Sequence, residues 1–109
     1  MNSTSHTGAA GELLVCAFFL SHGLEVFRNV AASGPADIVL QNGDKFLAVD
    51  VKSVRCPYTR KDGTYSLPKV PQFTAEGIAI VVYVHGEAVP RLPEGFWEAL
   101  GMETSNEYS

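Results

Sequence analysis

At 109 residues, 46% hydrophobic and 18% charged, the chain has the size and composition of one globular domain, 1–109, with a single core. It shows no apolar run of membrane-span length and no basic-then-apolar leader, so a cytoplasmic protein without a membrane partner is expected, in a bacterial, archaeal or phage-infected cell. The net charge of −4 argues against a general nucleic-acid binder, yet five of the eight Lys and Arg residues (Lys52, Arg55, Arg60, Lys61 and Lys69) fall in one stretch that holds a single acid, Asp62.

Residues 1–6 are polar and expected to be flexible, as is the tail 102–109. Ser5 or Thr7 can cap a helix running to about Ser21, with Gly23 ending it. Ala10, Leu13, Leu14, Ala17 and Phe18 follow the spacing of a buried stripe, and Val15, Cys16, Phe19 and Leu20 fill most of the remaining surface. A helix so apolar is expected to be covered on more than one side, by a sheet and by a second subunit. Glu12 is its only charged residue after Thr7. Two readings stand: a carboxylate near the wet N-terminal edge, favoured by the helix dipole, or one held for a purpose.

Leu24 to Val30 alternates as a strand with polar residues on both faces, which suits a sheet edge. Ser33-Gly34-Pro35 then places a turn just before Asp37. From Ala36 to Val54, two β-rich runs flank Asn42-Gly43, the strongest short-range hairpin signal. With Asn42 and Gly43 as the loop, Asp37 lies opposite Ala48, one diagonal step from Asp50. Alternation puts Phe46, Ala48, Asp50 and Lys52 on one face, together with Asp37, and turns Leu47, Val49 and Val51 into a core. Two carboxylates at this separation repel. A hard divalent cation with oxygen ligands would relieve the repulsion, and Lys52 beside them could stabilise developing negative charge or position an attacking water. The alternative is an exposed hairpin end with Lys52 merely screening Asp50.

Residues 55–71 contain three prolines and Asp62-Gly63, which forbid a regular helix. Here Arg55, Arg60, Lys61 and Lys69 interleave with Tyr58 and Tyr65, as phosphate and base contacts require; a solvated loop is the alternative. Residues 71–76 read as a short helical turn, Gly77 to Val84 as a central strand, His85-Gly86 as a turn, and Pro93 to Leu100 as a short helix with Phe96, Trp97 and Leu100 on its apolar side. Cys16 and Cys56 form no metal motif. His6, His22 and His85 are isolated from one another, and no histidine is placed relative to a serine or cysteine in a pattern that suggests a nucleophile.

The order of helical Gly11-Glu12, then Pro35-Ala36-Asp37, then Asp50-Val51-Lys52 on a strand resembles the PD-(D/E)XK nuclease superfamily. Ala36 is one residue more than the family's Pro-Asp. Ser53 after the lysine, and Gly63 to Tyr65 beyond it, look most like the intron-encoded homing endonucleases and the Holliday-junction resolvases. The resemblance implies a restriction-endonuclease-like α/β fold, a mixed central β-sheet flanked by helices. It implies a metal-dependent DNA endonuclease, a phosphodiester hydrolase with Glu12, Asp37, Asp50 and Lys52 as catalytic residues. Asp37, Asp50, the backbone carbonyl of Val51 and Glu12 would hold Mg²⁺ or Mn²⁺; Arg55, Tyr58, Arg60, Lys61 and Lys69 would contact DNA. So compact a core is expected to act as a homodimer or higher homo-oligomer. The competing expectation is a non-catalytic nucleic-acid-binding or assembly module that retains the fold.

Overall fold

A computed structural model of the chain describes residues 3–30, 34, 36–54 and 70–102. The chain folds as a compact α/β domain: an N-terminal helix, α1 (Ser3–Ser21), on a five-stranded mixed sheet, with a one-turn helix, α2 (Phe96–Ala99), closing one end. The strands are β1 (Glu25–Arg28), β2 (Ile38–Asn42), β3 (Lys45–Val54), β4 (Gln72–Phe73) and β5 (Ala79–Val84), in the spatial order β1-β2-β3-β5-β4. Among the described strands, β3 and β5 pair parallel and the other pairs are antiparallel. A parallel pair needs a crossover, and residues 55–78 supply it. No helix among the described residues is long and apolar enough to cross a membrane.

Helix α1 starts at Ser3, ahead of both expected caps, so residues 3–6 belong to it. It ends as the sequence suggests. Gly23 takes φ 83°, its N–H donates to Leu20 O at 3.0 Å, and Leu24 N–H donates to Phe19 O at 3.3 Å. This is a Schellman closure, which requires a residue tolerant of positive φ at Gly23.

The buried face of α1 is not the expected stripe. Gly11, Val15, Cys16 and Phe19 face the sheet, while Leu13, Leu14 and Leu20 are about half exposed and Ala10 and Ala17 face out with them. An almost uniformly apolar helix carries no phase in its hydrophobicity. Close approach sets the phase instead: a Cβ at Gly11 would overlap Ser53 Oγ and stand 2.8 Å from Ser53 Cβ.

The core lies between α1 and one face of the sheet. Val15, Cys16 and Phe19 pack with Ile38, Leu40, Leu47, Val49, Ala79, Val81 and Tyr83. Phe96 and Leu100 close it, with the Phe19 and Phe96 rings stacked at 5.3 Å. Each Val, Leu, Ile or Phe among them contributes about 1.5–3 kcal/mol on burial. His22 seals the outer corner, its Nδ1 2.9 Å from Phe18 O and its ring stacked on Trp97 at 5.1 Å.

β1 is an edge strand and β5 a buried inner one, both as expected. Residues 71–76 do not form a helical turn. Gln72 and Phe73 pair antiparallel with Ile80 and Ala79, and Thr74 closes the hairpin by accepting from Gly77 N–H at 2.9 Å and donating its N–H to Ile78 O at 2.8 Å. Gly77 at φ 86° makes that tight reversal accessible.

Candidate active site

The site begins with the register of the β2–β3 hairpin. Asn42 pairs with Lys45, so the loop residues are Gly43 and Asp44, one position later than Asn42-Gly43. Two-residue hairpin turns need positive φ at their first loop position, and Gly43 supplies it at φ 62°. Asn42 stays in the ladder, its Nδ2 donating to Leu100 O at 2.7 Å. The correction moves Asp37. The ladder ends with Ile38 opposite Val49, and Asp37 lies just beyond it, its carboxyl in hydrogen-bond contact with that of Asp50 rather than a diagonal step away. The register moved by an even number, so the paired side chains of β2 and β3 keep their expected faces.

Asp37 is tied to the strand it faces. Its N–H donates to Val49 O at 2.9 Å, and its Oδ2 accepts the Val51 N–H at 2.7 Å. A strand residue directs its N–H and C=O to the same edge, so the Val51 carbonyl opens on the edge occupied by Asp37. Burial pushes the Asp37 carboxyl above its ordinary range. The Val51 N–H opposes this, while the hydrogen bond and negative charge of Asp50, and then the charge of Glu12, raise it further. Lys52 Nζ lies 3.0 Å from Asp50 Oδ2 with Lys52 partly exposed.

Glu12 stands across a cleft of about 330 Å³ that it lines with Arg28, Asn29, Val30 and Asp37. It lies nine residues beyond Ser3, too far along α1 for the N-terminal dipole to account for it. Its partner is Arg28, whose Nε donates to Glu12 Oε1 at 3.4 Å. Among the described residues, no three His, Cys, Asp or Glu side chains are grouped as a metal centre. The structure thus joins Asp37, Asp50 and Lys52 and sets Glu12 on the opposite wall. Arg55, Tyr58, Arg60, Lys61 and Lys69 lie outside the described residues, as do Pro35 and the 63–65 segment.

Sequence reasoning missed two contributors. Arg28 gave no local signal, because it meets Glu12 only once β1 is docked beside α1. Ser53 and His85 are 32 positions apart, yet Ser53 Oγ and His85 Nε2 share a 3.1 Å hydrogen bond beside Gly11. The parallel β3–β5 ladder brings them together, with Val54 O accepting His85 N–H at 2.9 Å. Cys16 lies nearby; burial first, then Glu12, raises its thiol pKa, so it stays neutral.

Compared with known proteins, the chain matches no family model, no curated protein and no solved structure.

Proposed function

We propose that the protein is a metal-dependent DNA endonuclease of restriction-endonuclease-like architecture, hydrolysing phosphodiester bonds at Asp37, Asp50 and Lys52. One observation carries this reading: a partly buried Asp37 is fixed by the Val51 N–H at 2.7 Å beside the Asp50 carboxyl, whose other neighbour is the Lys52 ammonium at 3.0 Å. Folding places two like charges together at a cost, and a hard divalent cation offsets that cost.

The donor set suits Mg²⁺ or Mn²⁺, which accept carboxylate and carbonyl oxygens and retain several waters, so two carboxylates suffice. Asp37 and Asp50 would hold the ion, with the Val51 carbonyl on the same strand edge. Glu12 would reach it through water. The bound ion supplies a water of lowered pKa and neutralises charge on the phosphoryl oxygens. Lys52 donates hydrogen bonds to the attacking water or to a non-bridging oxygen, and Asp50 holds the ammonium in place. Arg28, on the cleft wall, is placed to meet a phosphate. A homing-type or junction-resolving role fits this chemistry equally.

A second reading, a non-catalytic nucleic-acid-binding or assembly module, draws on the Lys52–Asp50 ion pair, which already offsets one of the two charges. The deciding experiment incubates the protein with linear duplex, branched and supercoiled DNA in Mg²⁺. Nicking or cutting that disappears in Lys52→Ala and in Asp37→Asn, with unchanged folding, is the expected result. Salt-sensitive binding to all three DNAs with no cleavage would establish the module and end the nuclease reading.

A further inference from the structure

Glu12 and Arg28 meet in the cleft that both line with Asn29, Val30 and Asp37. The backbone around them is tied down. Asn29 follows Arg28 at the end of β1, its N–H donating to Asp37 O at 2.8 Å and its Nδ2 to Ala36 O at 3.1 Å. What can move within this frame are two long side chains, Glu12 22% exposed and Arg28 52%.

The contact between them is loose. A single nitrogen, Arg28 Nε, meets Glu12 Oε1 at 3.4 Å, well beyond the about 2.7–2.9 Å of a good charge-assisted bond. Among the described residues neither terminal nitrogen of Arg28 donates a hydrogen bond. A guanidinium grips an oxyanion best through two parallel N–H bonds, and here that fork is unused. Glu12, for its part, is not grouped with Asp37 and Asp50 as a metal centre, although its negative charge reaches Asp37. The Cys16 thiol, one helical turn after Glu12, feels Glu12, Arg28 and Asp37 together, so the three charges share one neighbourhood. A cleft of about 330 Å³, at about 30 Å³ per water, has room for a phosphate group beside several waters.

We propose that the Glu12–Arg28 pair is an exchangeable latch on the site. A phosphate of the substrate takes the Arg28 guanidinium in a two-point contact, and Glu12, released, turns toward the ion held by Asp37 and Asp50. Arg28 is then a positioning residue: it keeps Glu12 away from the ion until a phosphate is in place. The exchange runs downhill because a one-nitrogen, partly exposed pair is weak and a bidentate arginine–phosphate contact is strong. The inference rests on the nuclease reading for the ion and for the phosphate as substrate.

The test compares wild type, Arg28→Gln, Glu12→Gln and the double variant by titration calorimetry with two probes used separately: Mn²⁺ alone, and thymidine 5′-monophosphate in EDTA. Removing a charge alters affinity by plain electrostatics in every background. Releasing a partner adds to this only where the partner is present. Arg28→Gln should therefore tighten Mn²⁺ binding about 1.5- to 5-fold more in wild type than in Glu12→Gln. Glu12→Gln should tighten thymidine monophosphate binding by the same extra factor in wild type over Arg28→Gln. Both cycles read the strength of the one ion pair that breaks, and the range is that of exposed pairs. Urea midpoints check that the variants fold. A factor of one in either cycle means that the pair stays closed on binding and overturns the latch. So does a thymidine monophosphate affinity that Arg28→Gln leaves unchanged. Mn²⁺ binding abolished by Asp37→Asn, with both cycles at one, removes the latch and leaves the nuclease reading standing. Mn²⁺ binding indifferent to Asp37→Asn sinks the metal site of that reading and the release of Glu12 with it.

Discussion

Replacing Gly11 with alanine puts the placement of α1 to a test in which two terms oppose each other. In a free helix interior the change is favourable by about 1 kcal/mol, because alanine loses less backbone entropy. Against β3 it is unfavourable. The new Cβ would overlap Ser53 Oγ and stand 2.8 Å from Ser53 Cβ, an atom fixed to the strand backbone. Rotating the hydroxyl away relieves only the first clash, so the helix must lift. Overpacking of this kind costs about 1–3 kcal/mol, and the short Cβ–Cβ approach places Gly11→Ala near the top of that range. The net expectation is a loss of about 1–2 kcal/mol. Urea unfolding followed through Trp97, the only tryptophan, reads this as a midpoint lowered by about 1 M for a domain of this size. The partner variant Ser53→Gly removes both obstructing atoms. It costs about 1–2 kcal/mol alone, through the lost His85 hydrogen bond and a glycine inside a strand. In the double variant the two costs do not add, and at least about 1 kcal/mol is recovered. A midpoint that rises in Gly11→Ala, or strict additivity in the cycle, refutes the close approach of α1 to β3.

The raised Asp37 carboxyl makes stability fall as pH rises from the ordinary carboxylate value through the folded one, because the folded state holds the proton longer than the unfolded chain. Asp37→Asn is therefore expected to be more stable than wild type at neutral pH and no more stable once both states are protonated; an unchanged difference across a pH series of urea melts refutes the assignment. Mg²⁺ or Mn²⁺ is expected to raise the thermal midpoint of wild type in a concentration-dependent way and not that of Asp37→Asn; equal shifts in both place the ion elsewhere. Lys52→Ala breaks a partly exposed pair and should cost no more than about 1 kcal/mol, so a urea midpoint near wild type should accompany the loss of cleavage. If the outward stripe of α1 mediates self-association, Leu14→Lys converts an oligomer to a monomer in sedimentation velocity without lowering the urea midpoint of the monomer; a wild type that is monomeric at all concentrations excludes that role.

How far the chain could be read depended on whether a signal was local. Alternation along 36–54 assigned Asp50 and Lys52 to one face and Leu47 and Val49 to the core, and this survived the corrected register because the slip was even; Asp37 lies beyond the last ladder pair. The register itself was not legible. Asn42 and Gly43 suit a turn equally well by propensity, and the tie is broken by Leu100, a residue 58 positions away that accepts from the Asn42 side chain. The phase of α1 was lost for the opposite reason: Leu13, Leu14 and Leu20 are as apolar as Val15 and Phe19, and only Ser53 across the sheet shows which side is pressed inward. Gln72-Phe73 is too short a strand to leave a pattern, and its ladder with β5 makes it one. Glu12 stood out as a charge on an apolar helix, but its Arg28 partner depends on tertiary docking.

The tip of the β2–β3 hairpin carries no reactive group, yet it acts as a ruler for those that do. Gly43 lies six residues from Asp37, about 20 Å along an extended strand. Deleting or inserting a single residue at that tip, unless a bulge absorbs it, would swing one whole strand of side chains through the sheet. Asp37 would then point away from Asp50, and an apolar neighbour would take its place. Length variants at 43–44 therefore separate a protein that keeps its fold from one that keeps its chemistry.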